Sequence, residues 1–462
     1  MPNWYAGCGV GPCHARPFMT DFPFAPGFVE RPYWWEAAPP PAPAATLLPD
    51  EAEVLIVGGG IAGLSTAIEL GRNGVRALVI DREAIGWGAS SRNGGALSGA
   101  GSLGKTRSDL VESFGKEYVA ELMEEGEQAF EDFEAFVERE RLDCDYVRCG
   151  RFVGAHAPRA LEALKRRIDL INGAGTEEAF FVPRERVAEE IATDRFVGGM
   201  MLRRAGALHP AKYVRALASA AMRYGATLAG GVAMRGHRRE AGGGFVVETS
   251  RGPIRARRLM IATNGYTGGA TPWHRRRLIP VASYMIATEA IGEERVRRAL
   301  PQMRVYGDTK KVLYYFRPSP DGTRILFGGR ASFVNADTRR SGATLHRFLT
   351  DLIPDLADVR ITHSWKGNVA FAFDMMPHVG EHEGVHHAMA CNGSGVVTMT
   401  HLGTATAQAM LGGANRPSAF ARLPFPTRPL YTGHPWFLPV VGLSYQLRDR
   451  LDGWRVPRKD AS

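Results

Sequence analysis

The stretch that decides the fold is Val54-Leu55-Ile56-Val57-Gly58-Gly59-Gly60-Ile61-Ala62-Gly63-Leu64. Its first four residues are a continuously apolar run, as expected of a strand buried on both faces of a parallel sheet. The glycines follow at once. A helical pattern with apolar Leu64, Ala67 and Ile68 then runs to Asn73-Gly74, where Gly74 suits the left-handed position past a helix end. A second buried strand, Ala77 to Ile80, stops at Asp81. Together these make one βαβ unit and place the chain in the α/β class.

Gly58-x-Gly60-x-x-Gly63 sits between that strand and that helix, and each glycine has a distinct task. Gly58 allows the tight turn, Gly60 lets backbone approach a pyrophosphate, and Gly63 lets the helix pack close to the strand. The N–H groups of the first turn (Gly60, Ile61, Ala62) and the positive end of the helix dipole then favour phosphate. Asp81 falls 21 residues after Gly60, where a carboxylate can accept both ribose hydroxyls; Arg82 follows it at the same strand end. These features read as a dinucleotide site. Asp is the commoner acid for NAD, whereas FAD sites more often use Glu. The loop Gly86-Trp87-Gly88-Ala89-Ser90-Ser91-Arg92-Asn93-Gly94-Gly95 points the other way, because its many backbone donors can wrap an extended cofactor.

Outward from this unit, the chain of 462 residues has room for two or three domains. Apolar residues make up 45% and charged residues 23%, which excludes a disordered or fibrous chain. The longest apolar run, Trp436 to Leu443, contains a proline and falls far short of the roughly 20 residues of a membrane span. No secretory signal is readable. The cysteines (Cys8, Cys13, Cys144, Cys149, Cys391) are few and odd in number, which fits free thiols in a reducing cytoplasm and no zinc knuckle. The net charge is +9, and 49 Arg stand against 8 Lys. The basic runs Arg235–Arg239, Arg255–Arg258 and Arg275–Arg277 are short and scattered, reading as solvated faces and not as a nucleic-acid groove.

Residues 1–50 are rich in Pro and aromatics (Phe22, Phe24, Phe28, Tyr33, Trp34, Trp35) and read as an extended arm anchored by those rings. Met19 is an alternative start. Residues 108–143 and 160–195 have helical period, and a further helix is expected from Ala211 to Tyr224. Strands at Val232–Arg238, Phe245–Thr249 and Ile254–Arg257 read as an antiparallel meander, followed by a separate buried strand, Leu259–Ala262. Alternating patterns between 281 and 335 suggest a second antiparallel sheet. His386 to Cys391, a Gly-Ser-Gly turn and a small-residue helix from Val396 to Leu411 close the pattern.

In this order the segments resemble the D-amino-acid-oxidase-type superfamily of FAD-dependent oxidoreductases, and most of all its gamma-glutamylputrescine-oxidase-like branch. The carriers are Val57–Leu64 and Gly88–Gly95, then Ala207-Leu208-His209-Pro210, Ala262-Thr263-Asn264-Gly265-Tyr266 and Ile279-Pro280 leading to Ala287-Thr288-Glu289. Leu326-Phe327-Gly328-Gly329-Arg330, Trp365-Lys366-Gly367, Asp374-Met375-Met376-Pro377 and Asn392-Gly393-Ser394-Gly395-Val396 complete them. The resemblance implies a two-domain flavoprotein with a Rossmann-like FAD-binding domain and a substrate domain built on an antiparallel sheet. The expected FAD domain comprises 51–108, 205–272 and 363–415, the substrate domain 109–204 and 273–362, and residues 416–462 form a C-terminal extension. It implies that Ala89, Ser90, Ser91, Asn93, Gly94, Gly95, Ala262, Thr263, Asn264, Trp365 and Gly367 contact the cofactor and that Val232 meets the adenine through its backbone. It also implies that Gly393-Ser394-Gly395, with Val396 and Val397, aims a helix N-terminus at the flavin's pyrimidine edge. A positive helix end there stabilises the negative charge of reduced flavin. Family members often carry Gly-His-Gly at this turn, whereas this chain has Ser394.

The implied activity is oxidation of an amine or amino-acid C–N bond to an imine, which is hydrolysed, with dioxygen reoxidising the flavin and leaving as hydrogen peroxide. No Cys or His lies in 82–105 or in Phe371–Pro377, so FAD is expected to be non-covalent. Tyr284, Tyr314 and Tyr315 fall on the expected roof sheet and Trp365 near the flavin segment, where they are candidates for an amine cage. Arg317 and Arg330 are candidates for gripping a carboxylate, and Lys366 for assisting dioxygen. His378, His382, His386 and His387 imitate a metal face, but Pro377, Gly380 and Gly384 make the segment a turn between strands; no metal is expected. Three other readings stay open: a dehydrogenase passing electrons to a quinone or carrier protein, a tRNA-modifying flavoprotein, and an NAD(P)-only dehydrogenase. The sequence leaves the oligomeric state open.

Overall fold

In the computed structural model, the structure describes residues 22–42, 47–98, 107–173, 177–330, 336–413 and 417–453. Met19, Cys8 and Cys13 lie outside them. The βαβ unit forms where the sequence puts it, as Glu51–Val57, Ile61–Arg72 and Ala77–Ile80. Val54–Val57 pair in parallel with Ala77–Ile80, and Val54, Leu55 and Ile56 are fully buried, as a strand covered on both faces requires. Among the described residues these strands belong to an eight-stranded sheet. Met234–Arg239 and Phe245–Thr249 lie on one side of the unit and Thr227–Ala229 on the other.

The expected third meander strand and the separate buried strand are one strand, Gly252–Ile261. Its first half pairs antiparallel with Phe245–Thr249 and its second half parallel with Glu51–Val57. Exposure alternates in the first half and gives way to three buried residues in the second, so the change of period marked a change of neighbours and not a break. A second correction concerns 160–195. Pro158–Asn172 is helical, but Ala179–Pro183 is a strand paired with Gly198–Leu202. The aromatic β-formers Phe180 and Phe181 outweigh the acidic residues before them.

Among the described residues the second large sheet has nine strands, ordered Phe24–Val29, Ile361–Phe371, Ile279–Thr288, Ile325–Gly329, Tyr314–Pro318, Val305–Asp308, Arg151–Gly154, Gly198–Leu202 and Ala179–Pro183. It is antiparallel at its centre, where Ile279–Thr288 pairs with both Ile361–Phe371 and Ile325–Gly329. One face packs Phe152, Tyr284, Ile286, Tyr306, Phe316 and Phe327 beneath the Thr338–Leu352 helix. The other face looks toward the βαβ unit. Three segments depart from the expected partition: Ile361–Phe371 belongs wholly to this sheet, the arm contributes an edge strand parallel to it, and the Lys116–Arg139 helix, expected in the substrate domain, packs in the core of the βαβ unit. The arm is anchored by its rings as expected, with Trp34 fully buried.

Two helices meet behind the βαβ unit. The Lys116–Arg139 helix is fastened to the Gly395–Leu411 helix by His401, whose Nε2 lies 2.9 Å from Glu125 Oε1 and whose Nδ1 lies 3.6 Å from Asp132 Oδ2. Burial opposes protonation of this imidazole, but hydrogen bonds to Asp132 and Glu125 outweigh it and push its pKa up to about 9. The folded pKa thus exceeds the ordinary value of 6.5. The resulting stabilisation is full below about pH 6.5 and is lost as pH rises through about 9, at most about 3 kcal/mol. His401→Gln should therefore lower Tm at pH 6 and flatten its decline toward pH 9. Thermal melts of both proteins across that window check this, and parallel Tm-versus-pH curves would refute it.

Candidate active site

The start of the Ile61–Arg72 helix is built for close approach. Gly58 has φ +116°, and a Cβ there would lie 2.7 Å from the Ala262 carbonyl. A Cβ on Gly63 would lie 2.1 Å from the Gly58 carbonyl oxygen, so only glycine lets this helix sit so tightly on its turn. No side chain caps the helix from its N-cap residue, Gly60. Instead the Ile61 N–H donates to Ser90 Oγ at 3.1 Å, so the serine oxygen stands where an anionic oxygen is favoured. Asp81 accepts from the Gly59 N–H and the Glu83 N–H, both at 2.9 Å. Burial raises its pKa, with these two bonds acting the other way. The side chain expected at the ribose is therefore also the one that holds the glycine turn.

The Gly86–Gly95 loop is stapled to itself and to the arm. Asn93 donates to the Ala89 and Ser90 carbonyls and accepts from the Gly95 N–H. Trp34 Nε1 donates to the Asn93 carbonyl and Trp35 Nε1 to Ser91 Oγ. The Arg92 guanidinium lies 4.1 Å from the Trp87 ring centre and 4.8 Å from that of Trp35, and it donates to the Trp87 and Lys366 carbonyls. Arg92, Trp34 and Trp35 were not assigned to the site from sequence. Apart from Arg92 with Trp87, these partners lie more than 50 residues apart, too far for a local pattern to pair them.

At the opposite end, the helix starts at Gly395, one residue before its expected position, and Ser394 gives it no side-chain cap. Asn264 and Asn392, both at positive φ, shape the approach. Asn264 accepts from the Ala390 N–H, and Asn392 accepts from the Ala372 N–H while donating to the Ala390 carbonyl. Asn392 was quoted in the sequence but not assigned; an Asn before Gly at a strand-to-helix turn was the available signal.

Both helix starts open into a cavity of about 1750 Å3. That exceeds the roughly 300–1,000 Å3 of a drug-sized pocket, leaving room for an extended cofactor and a substrate. Of the residues expected to bind cofactor, Gly60, Ile61, Ala62, Ala89, Ser90, Asn93, Gly94, Ala262, Asn264, Gly367, Gly393, Ser394, Gly395 and Val396 line it. Others serve it from behind or lie elsewhere. Val397 is in the core, the Val232 N–H is spent on the Asp81 carbonyl, Thr263 bonds Thr267, and exposed Arg82 pairs with Glu83.

Strand alternation sorts the catalytic candidates. Ser283, Met285, Tyr315, Gly367, Val369 and Phe371 face the cavity. Tyr284 and Lys366 are paired neighbours on the opposite face. Tyr284 is fully buried with its hydroxyl on the Ala336 backbone, and Lys366 Nζ points to the Ala336 carbonyl, so neither reaches the cavity. Tyr314 packs under that face too. Trp365 donates to the Arg92 carbonyl and packs on Trp34 behind the loop. Arg317 is buried and donates to the Gly95, Leu208 and Pro318 carbonyls, so it fastens backbone and is not offered to a carboxylate. Tyr315, hydrogen-bonded to Ser283 at 3.0 Å, and Arg330 do line the cavity. The histidine segment forms a hairpin, His378–His382 with Val385–Met389, as expected, and no metal-binding group occurs among the described residues.

These features fit FAD: a glycine cradle that a side chain would fill, and two helix starts that open into one cavity with room for an extended cofactor. Gly60→Val would put its Cβ 2.7 Å from Ser90 Oγ, in the space between helix and loop. The variant should fold but purify colourless; flavin absorbance at wild-type stoichiometry would exclude this cradle.

A family model described as FAD dependent oxidoreductase (DAO) matches residues 53–409. The chain is 31% identical over 435 residues to Probable oxidoreductase OrdL of Rhizobium meliloti (strain 1021), covering 93% of this chain and 99% of that protein. It is 29% identical over 410 residues to the gamma-glutamylputrescine oxidoreductase of Escherichia coli (strain K12), covering 86% and 93%. The crystal structure of glycine oxidase from Geobacillus kaustophilus has the same fold, with a TM-score of 0.69 at 23% identity over 82% of this chain and 99% of that one. The chain belongs to the DAO family of FAD-dependent oxidoreductases.

Proposed function

We propose that the protein oxidises the C–N bond of an amine or amino acid to an imine, which water splits to a carbonyl compound and an amine or ammonia. Dioxygen takes up the electrons and leaves as hydrogen peroxide. The observation that carries this reading is the convergence of two helix starts and one sheet face on a single cavity. The relatives named for gamma-glutamylputrescine and glycine supply the substrate class. FAD held there supplies the two-electron acceptor.

The residues of this chain do the rest. The Gly60–Ala62 turn and Ser90 hold phosphate oxygens. The Gly395 helix start favours negative charge beside it. Val281, Met285, Val369 and Phe371 make an apolar wall that excludes water and favours a neutral amine over its ammonium form. A neutral amine needs no dedicated base to lose hydride. Tyr315 and Ser283 present hydroxyls for orienting the substrate, and Arg330 presents a cation for a carboxylate.

The flavin is proposed to be non-covalent, so the purified protein should be yellow and should release all of its FAD on denaturation. Cys391 lines the cavity beside Asn264 and Gly395. Flavin that stays with the precipitate, and is freed in Cys391→Ala, would show attachment there instead. A panel of amines and amino acids should bleach the flavin without air and give peroxide equal to substrate in air. Bleaching without peroxide would make the protein a dehydrogenase.

Gly395→Pro tests the second helix start. Proline is tolerated at the first position of a helix, so the main loss is one N–H facing the cavity. The variant should keep FAD but be reduced about 100- to 1,000-fold more slowly. Normal reduction by stopped flow would remove this turn from the active site.

A further inference from the structure

The cavity extends past Tyr315 to the Arg151–Gly154 strand and the Pro158–Asn172 helix, where guanidinium groups line it. Arg151–Gly154 pairs with Val305–Asp308, and that strand pairs in turn with Tyr314–Pro318, so Val153, Gly307 and Tyr315 form one row. Gly307 has no side chain, and the Arg151 fork takes its place: Nη2 lies 3.0 Å from where a Cβ would stand. Arg151 therefore lies over the gap between its own strand and that of Tyr315, two strand spacings or about 10 Å apart.

Arg167, on the helix above, is close enough to Arg151 for the two charges to repel. Nothing negative offsets them: neither guanidinium has a carboxylate partner among the described residues, and Arg151 Nε is buried without a hydrogen bond. Neighbouring carboxylates on the wall are engaged elsewhere. Glu127 and Glu178 face Arg204, and Asp308 faces Lys310 and accepts from the Tyr314 N–H. Asp169 is exposed at the helix surface. Burial and the repulsion lower the Arg151 pKa only to about 10, so it stays charged at neutral pH. Both are half-buried in the cavity wall, and two like charges held near each other there repel unless an anion joins them.

We infer that Arg151 and Arg167 form a subsite for a carboxylate at the far end of the amine substrate, several bonds from the C–N bond that is oxidised. The inference rests on the cavity being the amine-oxidising site proposed above. Two guanidiniums near each other on one cavity wall offer paired donors to the two oxygens of a carboxylate. The distance from Tyr315 sets the length of the substrate between its reacting carbon and its acid.

The test is calorimetric titration of the holoenzyme with glutarate, a dicarboxylate that carries no amine, in wild type, Arg151→Met and Arg167→Met. Flavin content and Tm serve as controls of folding. Each substitution should weaken glutarate roughly 10- to 100-fold. Arg151→Lys, which keeps the charge but not the fork, should fall between and carries the test if a methionine variant fails to fold. Absent glutarate binding in wild type, or equal affinity in the variants, overturns the subsite. Inorganic phosphate bound more tightly than glutarate, with the same sensitivity, would overturn the choice of carboxylate.

A second arm compares straight-chain ω-amino acids with alkylamines of equal length. Wild type should favour the acids in kcat/KM, and the ratio should fall at least tenfold in either methionine variant. If glutarate behaves as expected but no amine bleaches the flavin, the subsite stands and the amine-oxidising reading falls.

Discussion

A close approach between two helices holds both helix starts of the site in place. A Cβ on Gly403 would lie 2.5 Å from the Ala62 carbonyl oxygen, and the Thr66 hydroxyl donates to both the Ala62 and Gly403 carbonyls. The Ile61–Arg72 and Gly395–Leu411 helices are locked at that point, and the first turns of both open into the same cavity. Two positive helix ends held together repel each other, and the protein supplies no cap to either from its N-cap residue. A long anionic ligand that touches both relieves the repulsion. A dinucleotide with a pyrophosphate in its middle and an electron-accepting ring at one end is such a ligand, so binding a charged cofactor follows from the packing of apolar and small residues far behind it.

What the sequence made legible divides along the same line. The βαβ unit could be read because its requirements are local: a glycine at φ +116° and another under a carbonyl leave no choice of residue. The Gly393–Gly395 turn was legible for a similar reason. The roof residues were not. Tyr284 and Tyr315 look alike in sequence, each on an expected strand of the roof sheet, yet Tyr315 faces the cavity and Tyr284 the core beneath. A period of two gives two faces but does not say which is which. That is decided by pairing with strands about 40 and 80 residues away along the chain, as in Tyr284 opposite Gly329 and Lys366. Lys366 and Tyr284 were misplaced by that single ambiguity.

Tertiary pairing also explains why the arm had an uncertain destination. Its aromatic residues promised anchoring, and burial of Trp34 bears that out. The groups they hold, the Asn93 carbonyl, Ser91 and the Arg92 guanidinium, belong to the loop that borders the cavity. The arm is thus part of the support of the site. Its rings fix a loop whose own glycines would otherwise leave it many conformations.

The abundance of arginine over lysine has a structural reading within this frame. A guanidinium can satisfy two or three backbone carbonyls at once while buried, which a lysine's single ammonium on a flexible stem does poorly. Arg317 does so with Gly95, Leu208 and Pro318, Arg277 with Trp273 and Phe425, and Arg258 joins the Met410 carbonyl to Glu53. Much of the chain's positive charge therefore serves as internal fastening where loops meet sheets, and a net charge of +9 does not by itself describe a surface for nucleic acid. Against that background, arginines that line a cavity and fasten nothing stand apart. Arg151 and Arg167 have no carboxylate partner among the described residues, unlike the fastening arginines above, and the inferred substrate carboxylate would supply one from solution.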